Sequence, residues 1–398
     1  MIVRHLSLTN FRLYARLELD LSSGLTIVQG DNAQGKTSLL EAIYFLATAH
    51  SPHTHTDRQI IRWAAEEEAA YPFAILKAEV LRRDGPCLLE IGLQRADSGR
   101  LKKEIRINHA PRRGIDLVGQ LAVVLFLPSD VEIVAGAPAL RRRYLDAALS
   151  QVDAAYVRAL DQYEHALAQR NALLRQAQER RVDPDEFAVW DEQLVPAGVD
   201  VALRRRRAVA ELTQLALPVH RRLSNGQEYL EILYRPNFDP SAPVSSERVY
   251  QIGLDPASPP NGFNRADLET AFRRALINRR REEIARGATL TGPHRDDLRF
   301  IANGVDLGDY GSRGQQRTAV LSLKLAEADW MRARIGEAPV LLLDEVLAEL
   351  DPNRRRCLLE HIGSLHQTIV TTTDVGRFDS AFVQQATVLT VAHGVLNL

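Results

Sequence analysis

Cysteine is scarce in this chain, which has 398 residues but only Cys87 and Cys357. Two cysteines do not make a disulfide framework, and their strand-like and helix-like surroundings predict that both are reduced and structural. Long apolar runs are missing too, since no stretch approaches the length that crosses a membrane and the first residues contain no signal-peptide core. We therefore expect a cytoplasmic protein that has no membrane partner.

Excess charge is also missing, because 50 basic and 51 acidic residues leave a formal net charge of −1. Without a global positive field, any contact with nucleic acid must come from local basic patches. Candidate patches are the arginine runs at 141–143, 204–207, 273–274, 279–281 and 354–356, and the pair Lys102-Lys103. Solvated surface or pairing within the chain is the alternative for each run. No aromatic residues interleave with them, so any nucleic-acid binding would be independent of sequence.

The strongest motif present is a glycine-rich segment with the pattern G-x-x-x-x-G-K-T of a phosphate-binding P-loop. Its residues, all predicted to bind nucleotide, are Gly30, Asp31, Asn32, Ala33, Gln34, Gly35, Lys36 and Thr37. An apolar run precedes it and a helical pattern follows, which argues against a chance glycine-rich turn. Backbone N–H groups would bind phosphate oxygens, Lys36 would reach the β- and γ-phosphates, and the Thr37 hydroxyl would bind Mg²⁺.

A second apolar strand, residues 340–343, ends in the carboxylates Asp344 and Glu345. We predict that Asp344 holds Mg²⁺ and that Glu345 is the general base for the attacking water, with Lys36 completing the catalytic set. A buried strand that ends in a solvated acidic turn is the alternative. Thr37 and Asp344 are 307 positions apart (344 − 37). Such a large insertion is typical of ABC-type ATPases of the genome-maintenance kind.

A third motif, Ser312-Arg313-Gly314-Gln315, precedes an apolar helix and resembles the ABC signature S-x-G-Q. A serine N-cap beside a glycine makes an anion site, and in ABC proteins this loop meets the γ-phosphate bound by the other subunit. We therefore predict that Ser312, Gly314 and Gln315 bind nucleotide across a dimer. A capped helix after a glycine turn is the alternative.

Two segments after the second strand also resemble ABC elements. Asp351 lies in Glu349-Leu350-Asp351, which resembles the D-loop, and it is predicted both to contact nucleotide and to cap the next helix. Many ABC proteins carry a switch histidine after the following strand. The corresponding run here, residues 371–374, contains no histidine, so Thr373 or Asp374 is expected to replace it.

The chain has three regions of different character. Residues 1–125 alternate as strands do, with strands predicted at 74–82, 87–94 and 103–107 and a mobile loop at 49–62. Helical spacing then predicts one or two helices at 138–181, a stretch at 186–223 that Pro196 and Pro218 kink or divide, a loop at 236–262 and a charged helix at 264–286. From Thr289 strands and helices alternate, with a hairpin turn at Asn303-Gly304.

The predicted fold is therefore α/β, an ABC-type P-loop ATPase head with mixed sheets that is interrupted by a mainly helical arm. We place the ATPase domain at residues 1–127 and 288–398 and the arm at residues 128–287.

Further strings resemble the RecF family of bacterial DNA replication and repair ATPases. They are Leu6-Ser7-Leu8-Thr9-Asn10-Phe11-Arg12-Leu13-Tyr14, Phe126-Leu127-Pro128-Ser129-Asp130, Gly136-Ala137-Pro138 with Arg141-Arg142-Arg143-Tyr144-Leu145-Asp146, and Thr291-Gly292-Pro293-His294-Arg295-Asp296-Asp297. The last string lacks the spacing and cysteines of a transition-metal site, so a phosphate-sensing or interlobe role is expected for it, with a simple turn as the alternative.

The resemblance covers nearly the whole chain and implies ATP and Mg²⁺ as cofactors. It implies that two copies close head-to-head around two ATPs, each ATP touching the P-loop of one copy and the signature loop of the other. The closed dimer would bind duplex DNA next to single-stranded gaps and, with RecR and RecO, help RecA load during repair and replication restart. Weak, DNA-stimulated ATP hydrolysis would reset the dimer.

Other functions stay open. A transporter-type ABC subunit would need a membrane partner, and the long arginine-rich helical region argues against it. A chromosome-organising ATPase would need a longer insertion with sustained heptads. A nucleotide-gated scaffold with negligible turnover is opposed by the intact Glu345.

Overall fold

The computed structural model describes residues 1–54, 56–68, 72–96, 101–180, 182–238, 265–363, 365–378 and 380–397. The strands are β1 (Ile2–Phe11), β2 (Tyr14–Asp20), β3 (Gly24–Gln29), β4 (Phe73–Arg82), β5 (Gly85–Arg95), β6 (Leu101–Ile107), β7 (Ala110–Arg112), β8 (Val123–Phe126), β9 (Leu230–Arg235), β10 (Asp297–Ala302), β11 (Val305–Asp306), β12 (Val340–Asp344), β13 (Gln367–Thr372), β14 (Ala386–Ala392) and β15 (Val395–Asn397). The helices are α1 (Lys36–Thr48), α2 (Trp63–Glu68), α3 (Glu132–Ala135), α4 (Pro138–Val152), α5 (Ala154–Glu179), α6 (Pro184–Leu223), α7 (Arg265–Arg286), α8 (Leu307–Tyr310), α9 (Arg313–Ile335), α10 (Pro352–Ile362) and α11 (Ser380–Gln384). Among these described helices, none has the length and apolarity needed to cross a membrane.

The first sheet is antiparallel and has the strand order β2-β1-β4-β5-β6-β7. The three strands predicted between residues 74 and 107 are β4, β5 and β6, so that part of the prediction is confirmed. Asn108 and His109 turn the chain from β6 to β7 with φ of 50° and 66°. Cys87 lies buried in β5 and Cys357 is partly buried in α10, and both are free thiols, as expected.

The second sheet positions the site and has the order β15-β14-β3-β13-β12-β8. Within this sheet, β14, β3, β13, β12 and β8 run parallel to one another. The edge strand β15 is antiparallel to β14. Every residue of β12 is buried, as expected for a parallel strand covered on both faces. The sheet joins strands from both sides of the long helical segment, and the predicted α/β fold with mixed sheets is confirmed.

The helical segment contains α4 to α7. The region predicted as one or two helices forms two, α4 and α5, separated at Asp153, whose carboxylate caps α5 by accepting from the N–H groups of Ala155 and Tyr156 at 3.0 Å each. The next stretch was predicted to be kinked or divided by its prolines. It is not divided, because α6 continues through both Pro196 and Pro218, and the kink stays a prediction. The packing of α6 against α5 and α9 outweighs the loss of two backbone hydrogen bonds.

A small third sheet, β11-β10-β9, contains a strand that the sequence did not reveal. β9 pairs antiparallel with β10, so residues 230–235 of the predicted arm are joined to the predicted ATPase domain. Asn303 and Gly304 turn the β10–β11 hairpin with φ of 49° and 80°, which confirms that prediction. Most of the predicted loop at 236–262 lies outside the described residues.

The segment predicted as a mobile loop at 49–62 contains a short 3₁₀ turn, Asp57–Ile60. The turn between β1 and β2 binds it, since Arg12 N–H donates to Ile60 O at 2.9 Å and Arg62 N–H donates to Asn10 O at 2.8 Å. The Arg12 guanidinium also pairs with Glu41 of α1 at 2.6 Å. This segment is therefore anchored beside the helix that follows the P-loop.

Candidate nucleotide-binding site

The P-loop connects β3 to α1, and its two glycines have steric reasons to be glycine. Gly35 has a φ of 113°, and a Cβ there would lie 3.0 Å from the hydroxyl of buried Tyr14. That hydroxyl donates to Gly35 O at 3.0 Å. A Cβ on Gly30 would lie 2.4 Å from Val391 O of β14. A side chain at either position would therefore displace the loop.

The P-loop is also bound from its other side by the turn between β14 and β15. The N–H of Gly394 donates to Gln34 O at 3.2 Å, and the N–H of His393 donates to the Gln34 side-chain oxygen. The β14–β15 hairpin therefore holds the P-loop in place through Gln34. Sequence spacing gave no sign of this contact.

Lys36 is the first residue of α1, and its side chain, which carries an ammonium group, is buried, since the residue is only 3% exposed. Its Nζ donates to Gly30 O at 2.7 Å and to Asp31 O at 2.9 Å, and it lies 3.1 Å from Glu345 Oε1. The predicted phosphate-binding cation and the predicted general base therefore form an ion pair. The lysine is curled over the loop in the position that suits phosphate oxygens.

Thr37 and Asp344 meet although 307 positions separate them. The Thr37 hydroxyl lies 2.9 Å from Asp344 Oδ2 and 3.1 Å from Oδ1, and Asp344 is 6% exposed at the end of β12. A hydroxyl and a carboxylate are the hard oxygen ligands that Mg²⁺ prefers. The donor set therefore fits the predicted magnesium site.

Glu345 follows β12 in a left-handed conformation with φ of 55°, which is uncommon for a residue with a side chain. The conformation turns the chain sharply after the strand and leaves the carboxylate 38% exposed. Its backbone N–H donates to Thr371 Oγ1 at 3.0 Å. The carboxylate thus faces the cavity beside Asp344.

A cavity of about 320 Å³ lies between the P-loop and the end of β12. It is lined by Leu13, Asn32, Ala33, Gly35, Lys36, Thr37, Ser38, Pro128, Asp344 and Glu345. The predicted catalytic and metal-binding residues are therefore brought together. Leu13 and Pro128 also line it, although sequence reasoning gave them no role beyond belonging to characteristic strings.

Comparison with known proteins identifies the family. A family model described as RecF/RecN/SMC N terminal domain matches residues 2–397. The DNA replication and repair protein RecF of Chloroflexus aurantiacus is 47% identical over 395 residues, covering 96% of each chain. The protein of the same name from Bacillus subtilis is 36% identical over 398 residues and covers both chains fully. The chain belongs to the RecF family.

Solved structures agree with this assignment. A RecF structure described as the recombination mediator protein RecF-ATPrS in the RecFOR pathway superposes with a TM-score of 0.84 at 27% identity, covering 100% of this chain and 97% of that one. A RecF-ATP structure of the same pathway gives 0.81 at 28% identity, with coverages of 99% and 96%. An Smc head structure shares the fold alone, with a TM-score of 0.51 at 14% identity. The predicted ABC-type ATPase head fold is thereby confirmed.

The signature loop of this RecF-family chain lies outside the cavity lining. Ser312 caps α9, because its hydroxyl accepts from the N–H of Gln315 at 3.2 Å while the Gln315 side chain accepts from Ser312 N–H at 2.9 Å. This capping box is the local structure expected of the motif. Neither Ser312, Gly314 nor Gln315 is brought to the P-loop of its own chain.

Asp351 also lies outside the cavity lining. Its carboxylate caps α10 by accepting from the N–H of Arg354 at 3.0 Å, which confirms the predicted capping role. In the segment at 371–374, Thr371 reaches the site with its side chain, whose hydroxyl donates to Asp344 Oδ1 at 2.7 Å. The Asp374 side chain instead accepts from Gly376 N–H at 2.8 Å, and the predicted phosphate contact of Thr373 or Asp374 stays a prediction.

The T-G-P-H-R-D-D string, residues 291–297, binds helices of the arm. Arg141 forms a bidentate pair with Asp297 at 2.6 and 3.2 Å, and Arg205 donates to Pro293 O at 2.7 Å. Burial raises the pKa of the Asp296 carboxyl to about 6. These contacts fit the expected interlobe role. In the described part of the chain, no group of three or more His, Cys, Asp or Glu side chains could hold a metal ion.

His294 and Gly292 explain why this string needs its particular residues. The His294 ring lies between Tyr163 Oη, 2.5 Å from Nδ1, and Thr289 O, 3.0 Å from Nε2. Burial lowers the pKa of His294 to about 4, so the ring is neutral, Nε2–H donates to Thr289 and the tyrosine donates to Nδ1. Gly292 has a φ of 137°, and a Cβ there would lie 2.3 Å from Tyr163 Oη.

Several of the predicted basic patches are used inside the molecule. Arg141 is 5% exposed and Arg205 is 2% exposed. Further arginines of these runs that pair with a carboxylate of the same chain include Arg204, Arg207, Arg279, Arg280 and Arg354. Lys103 pairs with Asp57 at 2.7 Å. Arginines left exposed in the runs include Arg273, Arg274 and Arg281 of α7.

Proposed function

We propose that this chain is an ATP-dependent, DNA-binding recombination mediator that acts in DNA repair and replication restart. ATP closes two copies into a dimer, the dimer binds duplex DNA near single-stranded gaps, and slow ATP hydrolysis resets it. The observation that carries the proposal is the cavity in which Lys36, Thr37, Asp344 and Glu345 converge. Membership of the RecF family and the ATP named in the descriptions of two similar structures support it.

Each residue of the cavity has a role that its position supports. Lys36 and the N–H groups of the P-loop hold the phosphates of ATP. Thr37 and Asp344 hold Mg²⁺, which neutralises charge on the phosphates when bound. Glu345 orients and deprotonates the attacking water once nucleotide phosphates draw Lys36 away from its carboxylate.

The dimer is proposed because the signature residues lie outside the phosphate-binding cavity of their own chain. Ser312 and Gly314 offer the N-terminus of α9, a helix of 23 residues, and the cavity of the same chain does not include them. A second copy facing the first would bring these residues, Gln315 and Asp351 to the γ-phosphate held by Lys36. In this arrangement residues 1–127 and 288–398 form the ATPase domain and 128–287 the arm.

DNA, RecR, RecO and RecA are the proposed partners. The similar structures are described as RecF in the RecFOR pathway. That description supports RecR and RecO as partners in loading RecA. Binding to DNA would be independent of sequence because it depends on arginine contacts to phosphates. DNA stimulation of hydrolysis belongs to the same proposal.

Light scattering with and without ATP tests the proposal, in parallel with DNA-binding titrations in ATP, in ADP and without nucleotide. We expect ATP to double the mass of the wild type and to increase DNA affinity. Ser312→Arg should stay monomeric with ATP, while Lys36→Ala should lose ATP-dependent DNA retention at matched salt. Ala210→Arg, which adds the same charge at an exposed position of α6, is the control. Full dimerisation of Ser312→Arg would contradict the shared site, and DNA binding that ignores nucleotide would contradict ATP gating. ATP-dependent dimerisation without DNA binding would favour the scaffold alternative.

A further inference from the structure

The hydroxyl of Thr371 is the structural link between the two carboxylates of the site. It donates to Asp344 Oδ1 at 2.7 Å and accepts from the backbone N–H of Glu345 at 3.0 Å. Thr371 is 1% exposed, so water does not substitute for either bond. One buried oxygen therefore contacts both the predicted metal ligand and the backbone of the predicted general base.

The position of this hydroxyl follows from the sheet. β12 and β13 are parallel, and their register places Thr371 directly beside Asp344. The carboxyl ends of parallel strands meet at one edge of a sheet, so a hydroxyl at this position points along the same edge as the carboxylates. The next residue, Thr372, accepts from Gly30 N–H at 3.2 Å, so β13 also fixes the start of the P-loop.

The two oxygens of Asp344 are differentiated by these contacts. Oδ1 accepts from Thr371, while Oδ2 is the nearer oxygen to Thr37, at 2.9 Å. A carboxylate held through one oxygen presents the other in a fixed direction, which matters for Mg²⁺ because it demands near-octahedral geometry. Thr371 thus orients the metal-binding oxygen of Asp344 toward Thr37.

Glu345 depends on the same hydroxyl through its backbone. Its φ of 55° is unfavourable for a residue with a side chain and persists only where the surroundings enforce it. The bond from Glu345 N–H to Thr371 Oγ1 is such a restraint. Without it, the turn after β12 would relax and the carboxylate would leave the direction of the cavity.

We propose that Thr371 is a positioning residue that aligns the Mg²⁺ ligand Asp344 and the general base Glu345 through its single hydroxyl. The inference deepens the proposed function and rests on it. Threonine is suited to the position because the branched side chain fits a buried strand while the hydroxyl supplies one donor and one acceptor.

The test is Thr371→Val, which keeps the shape of the side chain and removes the hydroxyl. Hydrolysis of ATP at saturating Mg²⁺ should fall roughly 10- to 100-fold in kcat, because a hydrogen bond to a charged group is lost at the reacting centre. KM should change by less than about threefold, and the affinity for a fluorescent ATP analogue in EDTA should stay within about twofold, because Lys36 and the P-loop are intact. The Mg²⁺ concentration for half-maximal nucleotide binding should rise about tenfold.

Two further variants separate positioning from packing. Thr371→Ser keeps the hydroxyl and should restore kcat and the Mg²⁺ response to within about threefold of the wild type. Thr368→Val is a matched control, because Thr368 lies on the same strand, is also 1% exposed, and its hydroxyl has no hydrogen-bond partner among the described residues. It should behave as the wild type. Thermal melting of all variants confirms that they are folded.

Three outcomes would overturn the positioning role: a Thr371→Val chain with normal kcat and Mg²⁺ response, an equal loss in Thr368→Val, or an equal loss of nucleotide binding in EDTA. A wild type that binds nucleotide without turnover would contradict the hydrolysis step of the proposed function. The Mg²⁺ titration of binding would then still decide the role of Thr371.

Discussion

Gln315 Nε2 donates to Glu228 Oε1 at 2.8 Å, and this hydrogen bond ties the signature loop to the segment that follows α6. The other oxygen of Glu228 lies 3.1 Å from Nε2 of buried His220. The Nδ1 of that histidine lies 3.0 Å from Ser322 Oγ, on α9. The helix that begins at the signature loop is therefore fixed to the segment after α6 at its first turn and to α6 at its third turn.

Replacing Glu228 should weaken the ATP-dependent dimer without weakening nucleotide binding by the single chain. Glu228→Ala leaves the capping box of Ser312 and Gln315 intact but removes the partner of the Gln315 amide. We expect the concentration for half-maximal ATP-dependent dimerisation to rise about tenfold, since a hydrogen bond to a charged group is lost. Light scattering across a protein dilution series measures it.

Glu231→Ala is the matched control for this variant, because Glu231 is an exposed carboxylate only three positions further along the chain. Nucleotide affinity of both variants, measured at protein concentrations below dimerisation, should equal that of the wild type. A Glu228→Ala chain that dimerises normally would show that the signature loop does not need the arm.

His294 should make the stability of the protein fall between pH 7 and pH 5. Burial lowers the pKa of this residue to about 4, from 6.5 in the unfolded chain, so within that window the unfolded state binds more protons. The neutral ring's contribution is complete above pH 6.5 and is lost as the pH falls toward 4. The expected loss in the contribution of His294 to the unfolding free energy between pH 7 and pH 5 is about 2 kcal/mol.

Denaturant unfolding of the wild type and of His294→Gln at the two pH values measures this loss. The variant should be less stable at pH 7, and the difference in unfolding free energy between the two proteins should shrink as the pH falls toward 5. Asp296, whose raised pKa acts in the opposite direction, is present in both and cancels. His53→Gln, at an exposed histidine, is the control for the exchange of a histidine for glutamine. A constant difference between wild type and His294→Gln would refute the buried neutral ring.

The exposed arginines of α7 should contribute to DNA binding. Arg273 and Arg274 are exposed, and no ion pair within the described ranges engages them. Reversing both charges should weaken ATP-dependent DNA binding. It should also make the negative slope of log K against log salt less steep by about 2, since each phosphate contact on duplex DNA contributes about 0.9. Titrations at several salt concentrations measure the slope.

Arg16→Glu on β2 provides a control for the change of net charge, because its side chain is 79% exposed outside the arginine runs. ATP binding should be unchanged in all of these variants. An unaltered slope in the Arg273 and Arg274 double variant would exclude this face of α7 from DNA contact.

The local parts of the fold and the site could be predicted because their causes are local. The P-loop, the capped helix after Ser312 and the hairpin at Asn303-Gly304 each depend on a few consecutive residues with fixed conformational preferences. The fully buried strand that ends in Asp344 was visible as an unbroken apolar run.

The remaining parts depend on contacts between residues far apart in the chain, which cannot be recognised from a single sequence. Thr371 meets Asp344 only through the register of two parallel strands, and β9 is a strand only because β10 lies beside it. A run of four arginines likewise does not reveal that Arg205 is the buried one, since that depends on where Asp146 and Pro293 are placed by other elements.

The contact of Gln34 with the turn at His393 and Gly394 has a consequence for the order in which the protein becomes competent. During translation the phosphate-binding motif is made first, whereas the turn at His393 that holds Gln34 follows 359 positions later. A nascent chain that ends before residue 386 would contain the whole motif and yet lack two of the strands that shape it. We therefore expect nucleotide capture only after β14 and β15 have been made, long after the motif itself.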